Sequence, residues 1–244
     1  AKALALAWDK PIVGVNHIQA HIYAAAMAHP ELFQRLPWAS LVVSGGHTSL
    51  YLSRDECTHE LVGSTQDDAA GEAFDKVAAI LGLPYPGGPS IDKAARDGDP
   101  AAVRFPRTEL ADAPEDFSFS GIKTAVLYHC KGQNAGRGSP LKPGLRVPDV
   151  AASFQAAMVD MLVTRTMRSA RRHGARAIVV GGGVACNSLL RARLAEAGAS
   201  AGLPVCIPPV SLCTDNAAMI AGFAHALWKR GRVSDLMGQP LDFT

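Results

Sequence analysis

Two histidines four residues apart, His17 and His21, stand behind Asn16 at the head of an alanine-rich run that continues through Tyr23 and Met27. On a helix this spacing turns both imidazoles to one face, about one turn apart. A first-turn position adds a second property. The positive helix end disfavours imidazolium and favours the neutral ring a metal ion needs. Asn16 suits the N-cap, and Gln19 stands where a capping box puts its return partner. The third donor must come from elsewhere in the chain. Asp215, in Cys213-Thr214-Asp215-Asn216, is the best candidate. Two imidazoles and one carboxylate form an open set suited to iron(II) or zinc, with positions left for a substrate oxygen. H-x-x-x-H also fits two ordinary histidines. Its zinc-peptidase form needs Glu directly after the first His, and that position is Ile18 here.

Glycine-rich turns make a second kind of chemistry available. Ser44-Gly45-Gly46-His47-Thr48-Ser49 joins two apolar runs, Ala39–Val43 and Leu50–Leu52, as the tip of a hairpin. Such a tip exposes backbone N–H groups that can cradle phosphate. The competing account is a tight hairpin whose glycines serve positive φ only. Gly181-Gly182-Gly183 follows the apolar run Ala177–Val180 and leads through Asn187 into a helix over 189–198, an anion- or nucleotide-binding turn. It matches neither G-x-G-x-x-G nor the P-loop pattern. Tyr85-Pro86-Gly87-Gly88-Pro89 is a rigid turn into another helix that lets a ligand approach the backbone, with Pro89 in the first helical turn.

The elements that must position these groups alternate between strand and helix, the grammar of an α/β fold. A helix end at 1–8 precedes a short strand, Ile12–Val15, that delivers the histidine helix. His29-Pro30 ends that helix, and a Pro-marked connection covers 30–38. A helix is expected over Gln66–Leu81, with Phe74, Val77 and Leu81 on its apolar stripe and Asp68, Glu72, Asp75 and Lys76 opposite. That charged side is either solvated or offers a carboxylate to ribose hydroxyls. Residues 97–116 read as loop, and Asp116–Thr124 as a polar loop entering a helix. The insert from Lys131 to Arg146, with Arg137 and Lys142, reads as a mobile loop. A long helix from Pro148 carries Val150, Phe154, Met158, Met161 and Leu162 inward. It ends in Arg165, Arg168, Arg171 and Arg172, with Arg176 beyond, which either complement the helix C-terminus or meet an RNA backbone. Val205–Pro208 reads as an edge strand, and a last helix spans Ala217–Trp228.

Composition bounds the rest. A 244-residue chain that is 48% hydrophobic supports one or two domains with a sizeable core. A net charge of +2 is too small to dictate a nucleic-acid partner. No apolar run reaches transmembrane length. Five cysteines, without C-x-x-C spacing, point to reduced thiols rather than a disulfide framework or zinc ribbon. The opening Ala1–Trp8, apolar and uncapped, suggests a chain whose upstream part is missing.

Taken together, the stretches resemble the tRNA N6-adenosine threonylcarbamoyltransferase family (TsaD, also called Gcp), within the actin-like ATPase and sugar-kinase superfamily. The resemblance is carried by Gly14–His21, Val42–Thr48, Asp67–Lys76, Tyr85–Pro89, Phe117–Thr124 and Cys213–Asn216, and extends over nearly the whole chain. It implies an N-terminally incomplete Gcp-like domain over 1–244, since the family pattern begins about 90 residues earlier. In that fold residues 39–215 form a largely complete second lobe, and 1–38 and 216–244 belong to a truncated first.

The implied reaction moves a threonylcarbamoyl group from threonylcarbamoyl-AMP to N6 of the adenosine beside the anticodon, in tRNAs that read codons beginning with A. One divalent metal, iron(II) first and zinc second, falls on His17, His21 and Asp215. Substrate-binding positions fall on Val42, Val43, Ser44, Gly45, Gly46, Asp75, Gly88, Asp92 and Asn187. Among them Asp75 and Asp92 would hold the ribose, and Asn187 would contact the adenylate. No residue stands out as a general base. The implied setting is cytoplasmic and off the membrane, with tRNA, a paralogous TsaB-like partner and a small TsaE-like P-loop ATPase. The alternatives are a non-catalytic fragment that binds nucleotide or partner proteins, and a zinc metallopeptidase.

Overall fold

Strand residues that alternate between two apolar environments require a sheet covered on both faces. The central strands of this protein meet that requirement. The computed structural model describes residues 1–134 and 138–233. In chain order the elements are α1 (Lys2–Ala7), α2 (His17–Ala28), β1 (Trp38–Val43), β2 (Thr48–Asp55), β3 (Thr58–Ser64), α3 (Ala70–Leu81), α4 (Gly87–Ala95), α5 (Ser120–Lys131), α6 (Val147–Arg172), β4 (Ala177–Gly181), α7 (Ser188–Ala201), β5 (Val205–Cys206), α8 (Val210–Cys213) and α9 (Ala217–Lys229). Short 3₁₀ turns cover Pro30–Gln34 and Gly183–Cys186.

The sheet runs β3-β2-β1-β4-β5. β1 pairs antiparallel with β2 and parallel with β4, and β5 extends β4 in parallel. Every residue of β1 and β4 is buried. Ala39, Leu41, Val43, Ile178 and Val180 face the main core, which holds Phe74 of α3, Ile122 of α5, Phe154 and Met158 of α6 and Leu194 of α7. Trp38, Val42, Ala177 and Val179 face the other way, against Ile18, Ile22, Ala25 and Ala26 of α2. α9 packs beside α2 through Phe223 and Met219. Because β1 and β4 are parallel, their carboxyl ends lie at one edge of the sheet. Both glycine turns therefore emerge side by side, where open α/β sheets bind ligands.

Several boundaries differ from expectation. Ile12–Val15 is extended but makes only a single bridge, at Ile12, because no strand of the described residues runs alongside it as a ladder. α3 starts at Ala70, not Gln66. Asp67 is instead turned away to accept from Ser118 Oγ and the Phe119 and Ser120 amides, and Thr48 Oγ1 accepts from the Ala70 amide. β3, over Thr58–Ser64, is a strand that the sequence reading did not anticipate. The edge strand stops at Cys206, since the following prolines cannot donate to a ladder.

Of the expected mobile insert, Lys131 closes α5 and Lys142 is anchored to the Cys130 and Tyr128 carbonyls. Arg137 lies outside the described residues, as does 234–244. At the basic end of α6, Arg171, Arg172 and Arg176 are exposed, while Arg165 and Arg168 are engaged within the chain. Arg165 is 3% exposed and donates to the carbonyls of Asp116, Met161 and Thr108. Arg168 reaches Pro114 O and Glu109, and Arg172 pairs with Glu115. These arginines fasten the loop over 105–117 to the helix. No helix among the described residues is long and apolar enough to cross a membrane, and all five cysteines are free thiols.

Candidate metal centre and glycine-lined cleft

Asn16 caps α2 as its sequence context suggested. Its Oδ1 accepts the Ile18 and Gln19 amides at 2.9 and 3.1 Å. The cap fixes the first turn, and with it His17 and His21, whose rings stand edge to face with centroids 4.9 Å apart. Asp215 arrives from the junction of α8 and α9, where Asn216 caps α9 through the Met219 amide at 2.9 Å. Asp215 Oδ1 lies 3.2 Å from both Nε2 atoms. Two donors held about 2.0–2.1 Å from one ion stand about 3 Å apart, so this set fits a single divalent metal. His21 supplies the further test. It is 1% exposed, and neither ring nitrogen has a hydrogen-bond partner despite the nearby carboxylate. A buried ring with two unsatisfied nitrogens is costly unless an ion takes one of them. Burial, and then the neighbouring His17, pull its pKa below the usual imidazole value while Asp215 pulls the other way. The neutral ligand form is thus the resting one. A second grouping, His29, Glu31 and Cys206, also brings donors within 4.8 Å of one another, but its His29 and Glu31 already pair at 3.2 Å.

A cavity of about 530 Å³ opens beside this centre, and Thr214, next to Asp215, lines its edge. Gly45, Asp75, Gly88, Asp92 and Asn187 line it too, five of the nine expected substrate positions, contributed by the hairpin tip, α3, α4 and the head of α7. Ser44 and Gly46 complete the tip, which is closed by Ser44 N donating to His47 O and His47 N donating to Ser44 Oγ. Val42 and Val43 are fully buried in β1, directly ahead of the tip, and do not line the cavity. The cavity also takes Tyr85 and Gly183 from the two glycine turns read in sequence, and Arg96 and Cys186, to which sequence reasoning gave no role at a site.

The glycines separate two kinds of need. Gly182 has φ +92°, and a Cβ there would collide with the Val43 carbonyl, so the chain itself demands glycine there. At Gly45, Gly46, Gly88 and Gly183 φ is not positive, and an added Cβ would meet no atom of the chain within 4 Å. Positive φ therefore does not explain the Ser44-Gly45-Gly46 tip. The polar residues are braced from behind. Asp75 Oδ1 accepts the Gly87 amide at 2.7 Å, holding the turn before α4. Asp92 Oδ1 accepts from Ser188 N and Oγ. Asn187 Oδ1 caps α7 through the Leu190 amide.

The chain matches the model of the family described as TsaD, tRNA N6-adenosine threonylcarbamoyltransferase, over residues 1–222. It is 53% identical over 235 residues to the tRNA N6-adenosine threonylcarbamoyltransferase of Moorella thermoacetica, covering 94% of this chain and 65% of that protein. It is 53% identical over 243 residues to that of Anaeromyxobacter dehalogenans, covering 98% and 70%. The chain thus spans about two thirds of the length of these relatives. Among solved structures, HypF of T. kodakarensis is similar at TM-score 0.66 and 14% identity, over 95% of this chain and 39% of that one. Component A of the (R)-2-hydroxyglutaryl-CoA dehydratase of Acidaminococcus fermentans is similar at TM-score 0.51 and 15% identity, over 88% and 69%. These last likenesses speak for the α/β fold of actin-like ATPase and sugar-kinase type. By family model and by identity, the chain belongs to the tRNA N6-adenosine threonylcarbamoyltransferase family.

Proposed function

We propose that the protein transfers the threonylcarbamoyl group of threonylcarbamoyl-AMP to N6 of the adenosine beside the anticodon, in tRNAs that read codons beginning with A. The observation that carries this reading is the pairing of a cleft whose glycines are empty of internal purpose with a His/His/carboxylate set at its edge. A nucleotide needs close backbone approach, and a carbonyl to be attacked needs polarisation. When bound, a divalent ion, iron(II) or zinc, supplies Lewis acidity toward the acyl oxygen. His17, His21 and Asp215 would hold it.

The chain's own part is binding and orientation. The Ser44–Gly46 tip would offer backbone N–H groups to phosphate and carbamoyl oxygens. Asp75 and Asp92 would accept from ribose hydroxyls, and Asn187 would contact the adenylate. AMP is a good leaving group from a mixed anhydride, so holding the tRNA amine in line accounts for much of the rate. No side chain is assigned as general base. In this reading residues 39–215 are the second lobe, with 1–38 and 216–244 belonging to the first. The setting is cytosolic, with a TsaB-like paralogue and a TsaE-like P-loop ATPase as partners.

The length matched in the relatives favours one second reading: a chain that binds adenylate but does not turn over on its own. A transfer assay separates the two. The 244-residue chain and a full-length version receive threonylcarbamoyl-AMP, unmodified tRNA and the partner proteins, with His17→Ala as control and nucleoside mass spectrometry as readout. Product from the full-length protein, lost in His17→Ala, supports the transferase. No product from either, with adenylate still bound, moves the binding reading ahead. A zinc peptidase is disfavoured by Ile18, which is 6% exposed and stands where that chemistry needs a carboxylate.

A further inference from the structure

Gln155 sits in the middle of α6, 3% exposed, one position beyond the core residue Phe154. Its side-chain nitrogen donates to Asp92 Oδ1 at 2.8 Å and to Asn187 Oδ1 at 3.2 Å. Its own Oε1 is buried with no partner, and so is Asn187 Nδ2. The orientation of both amides follows from the chemistry of their partners. Asn187 Oδ1 must be the oxygen, because it receives the Leu190 amide at 3.0 Å. A carboxylate at Asp92 can only accept. The group between these two acceptors must therefore donate to both, which fixes Gln155 with its nitrogen toward the cleft and strands its oxygen. A buried amide oxygen left without a partner is an expensive arrangement for a core position that an apolar residue could fill.

We infer that Gln155 is a positioning residue that sets the hydrogen-bonding polarity of the cleft. Asn187 Oδ1 is occupied by Leu190 and Gln155, which leaves Asn187 only its Nδ2 donor, buried at the cleft wall without a partner. Asp92 Oδ1 is occupied by Gln155, Ser188 N and Ser188 Oγ, so only Oδ2 remains to accept. Oδ2 faces Arg96 Nη2 at 3.7 Å. One wall of the cleft thus holds a fixed acceptor, with an unpartnered donor buried beside it. That pattern selects a ligand bearing hydroxyl donors next to an acceptor atom, as a ribonucleoside does and a 2′-deoxynucleoside does less well. The inference rests on the nucleotide reading above and adds what enforces its sugar preference.

The test is isothermal titration of AMP and 2′-deoxy-AMP into the chain and its Gln155→Met variant, with Tm measured for each. Met keeps the volume and removes both donors. Wild type is expected to prefer AMP by about tenfold, the worth of one hydrogen bond to a charged group. In Gln155→Met, Tm stays level or rises while AMP affinity drops about tenfold and the sugar preference shrinks toward parity. The exposed Ser188 gives a second variant that leaves the core intact. Ser188→Ala removes one of three donors to Asp92 Oδ1 and narrows the preference in the same direction, by less. If wild type binds AMP and both variants keep its affinity and its sugar preference, the role of Gln155 is overturned and the nucleotide reading stands. If wild type binds neither nucleotide, that reading falls and takes this inference with it.

Discussion

Gly181, the last residue of β4, lies directly against the backbone of His21. A Cβ at Gly181 would stand 2.7 Å from His21 O and 3.1 Å from His21 Cβ. At this point the sheet therefore sets the position of α2, the histidine helix, by contact, with no side chain between them. Gly181→Ala is expected to push α2 away from β4 and spread the donor set. Zinc affinity, followed by competition with a chromophoric chelator, should fall at least tenfold, and stability should drop by about 1–3 kcal/mol, as overpacked cores do. An unchanged zinc affinity would show that α2 is positioned by its other contacts.

Both ring nitrogens of buried His21 lack a hydrogen-bond partner, which an ion held by the proposed donor set would relieve. Saturating zinc or iron(II) is expected to raise Tm, since a ligand at a hundred times its Kd adds about 2.7 kcal/mol. His21→Ala should abolish the rise. A shift that survives that substitution would place the stabilising ion elsewhere, with His29, Glu31 and Cys206 the next set to remove.

At Gly88 the expectations for stability and binding have opposite signs. An added methyl meets nothing in the chain, and α4 gains about 0.5–1 kcal/mol when glycine becomes alanine inside a helix. Gly88→Ala should therefore unfold at higher denaturant while binding AMP about tenfold more weakly, because the methyl fills ligand space. Weaker binding with lower stability would mean that the turn had been disturbed instead.

His59 sets an acid limit on stability. Burial takes its pKa from 6.5 down to about 4, with Asp55 pulling it back up. Above pH 6.5 the ring is neutral folded or unfolded, and contributes no pH dependence. As pH falls from 6.5 toward 4 the unfolded chain takes up a proton that the folded one refuses, so stability declines. Below about 4 the decline from this group ends. At about 1.4 kcal/mol per unit the full loss is on the order of 3 kcal/mol. Urea unfolding at pH 7.5 and 5.0 should show the loss in wild type and much less of it in His59→Gln. Equal slopes in both proteins would reassign the acid sensitivity.

Arg165 should behave as a structural cation. Its guanidinium donates to three carbonyls and lies 5.5 Å from the centre of the Phe117 ring. Arg165→Met is expected to cost about 3 kcal/mol, because three carbonyl acceptors are left with weaker partners or none. Charge reversal at Arg168 should likewise loosen the Pro114 and Glu109 contacts, seen as faster amide exchange over 105–117, before it changes affinity for tRNA. Lost tRNA affinity at unchanged stability would restore the nucleic-acid role.

The sequence alone determined what short-range chemistry controls. Asn16 before an alanine-rich run dictated a capped helix with His17 and His21 on one face, since cap and periodicity are local properties. The apolar run through Val43, the Gly-Gly tip and the strand–turn–helix around Gly181–Ser188 were legible for the same reason, and so was the family. The start of α3 was not. Asp67 and Asp68 suit a helix locally, but they are held by Ser118 and Lys123, some fifty residues away. The arginines of α6 were equally ambiguous, because a basic run looks the same whether it meets solvent, RNA or the carbonyls of a loop. Gln155 was the hardest to see. In sequence it is one polar residue beside an apolar stripe, and only the meeting of α4, α6 and the head of α7 gives it two acceptors to bridge. Tertiary structure decided which polar groups are already satisfied by the chain and which, on Asp92 and Asn187, are left over for a ligand.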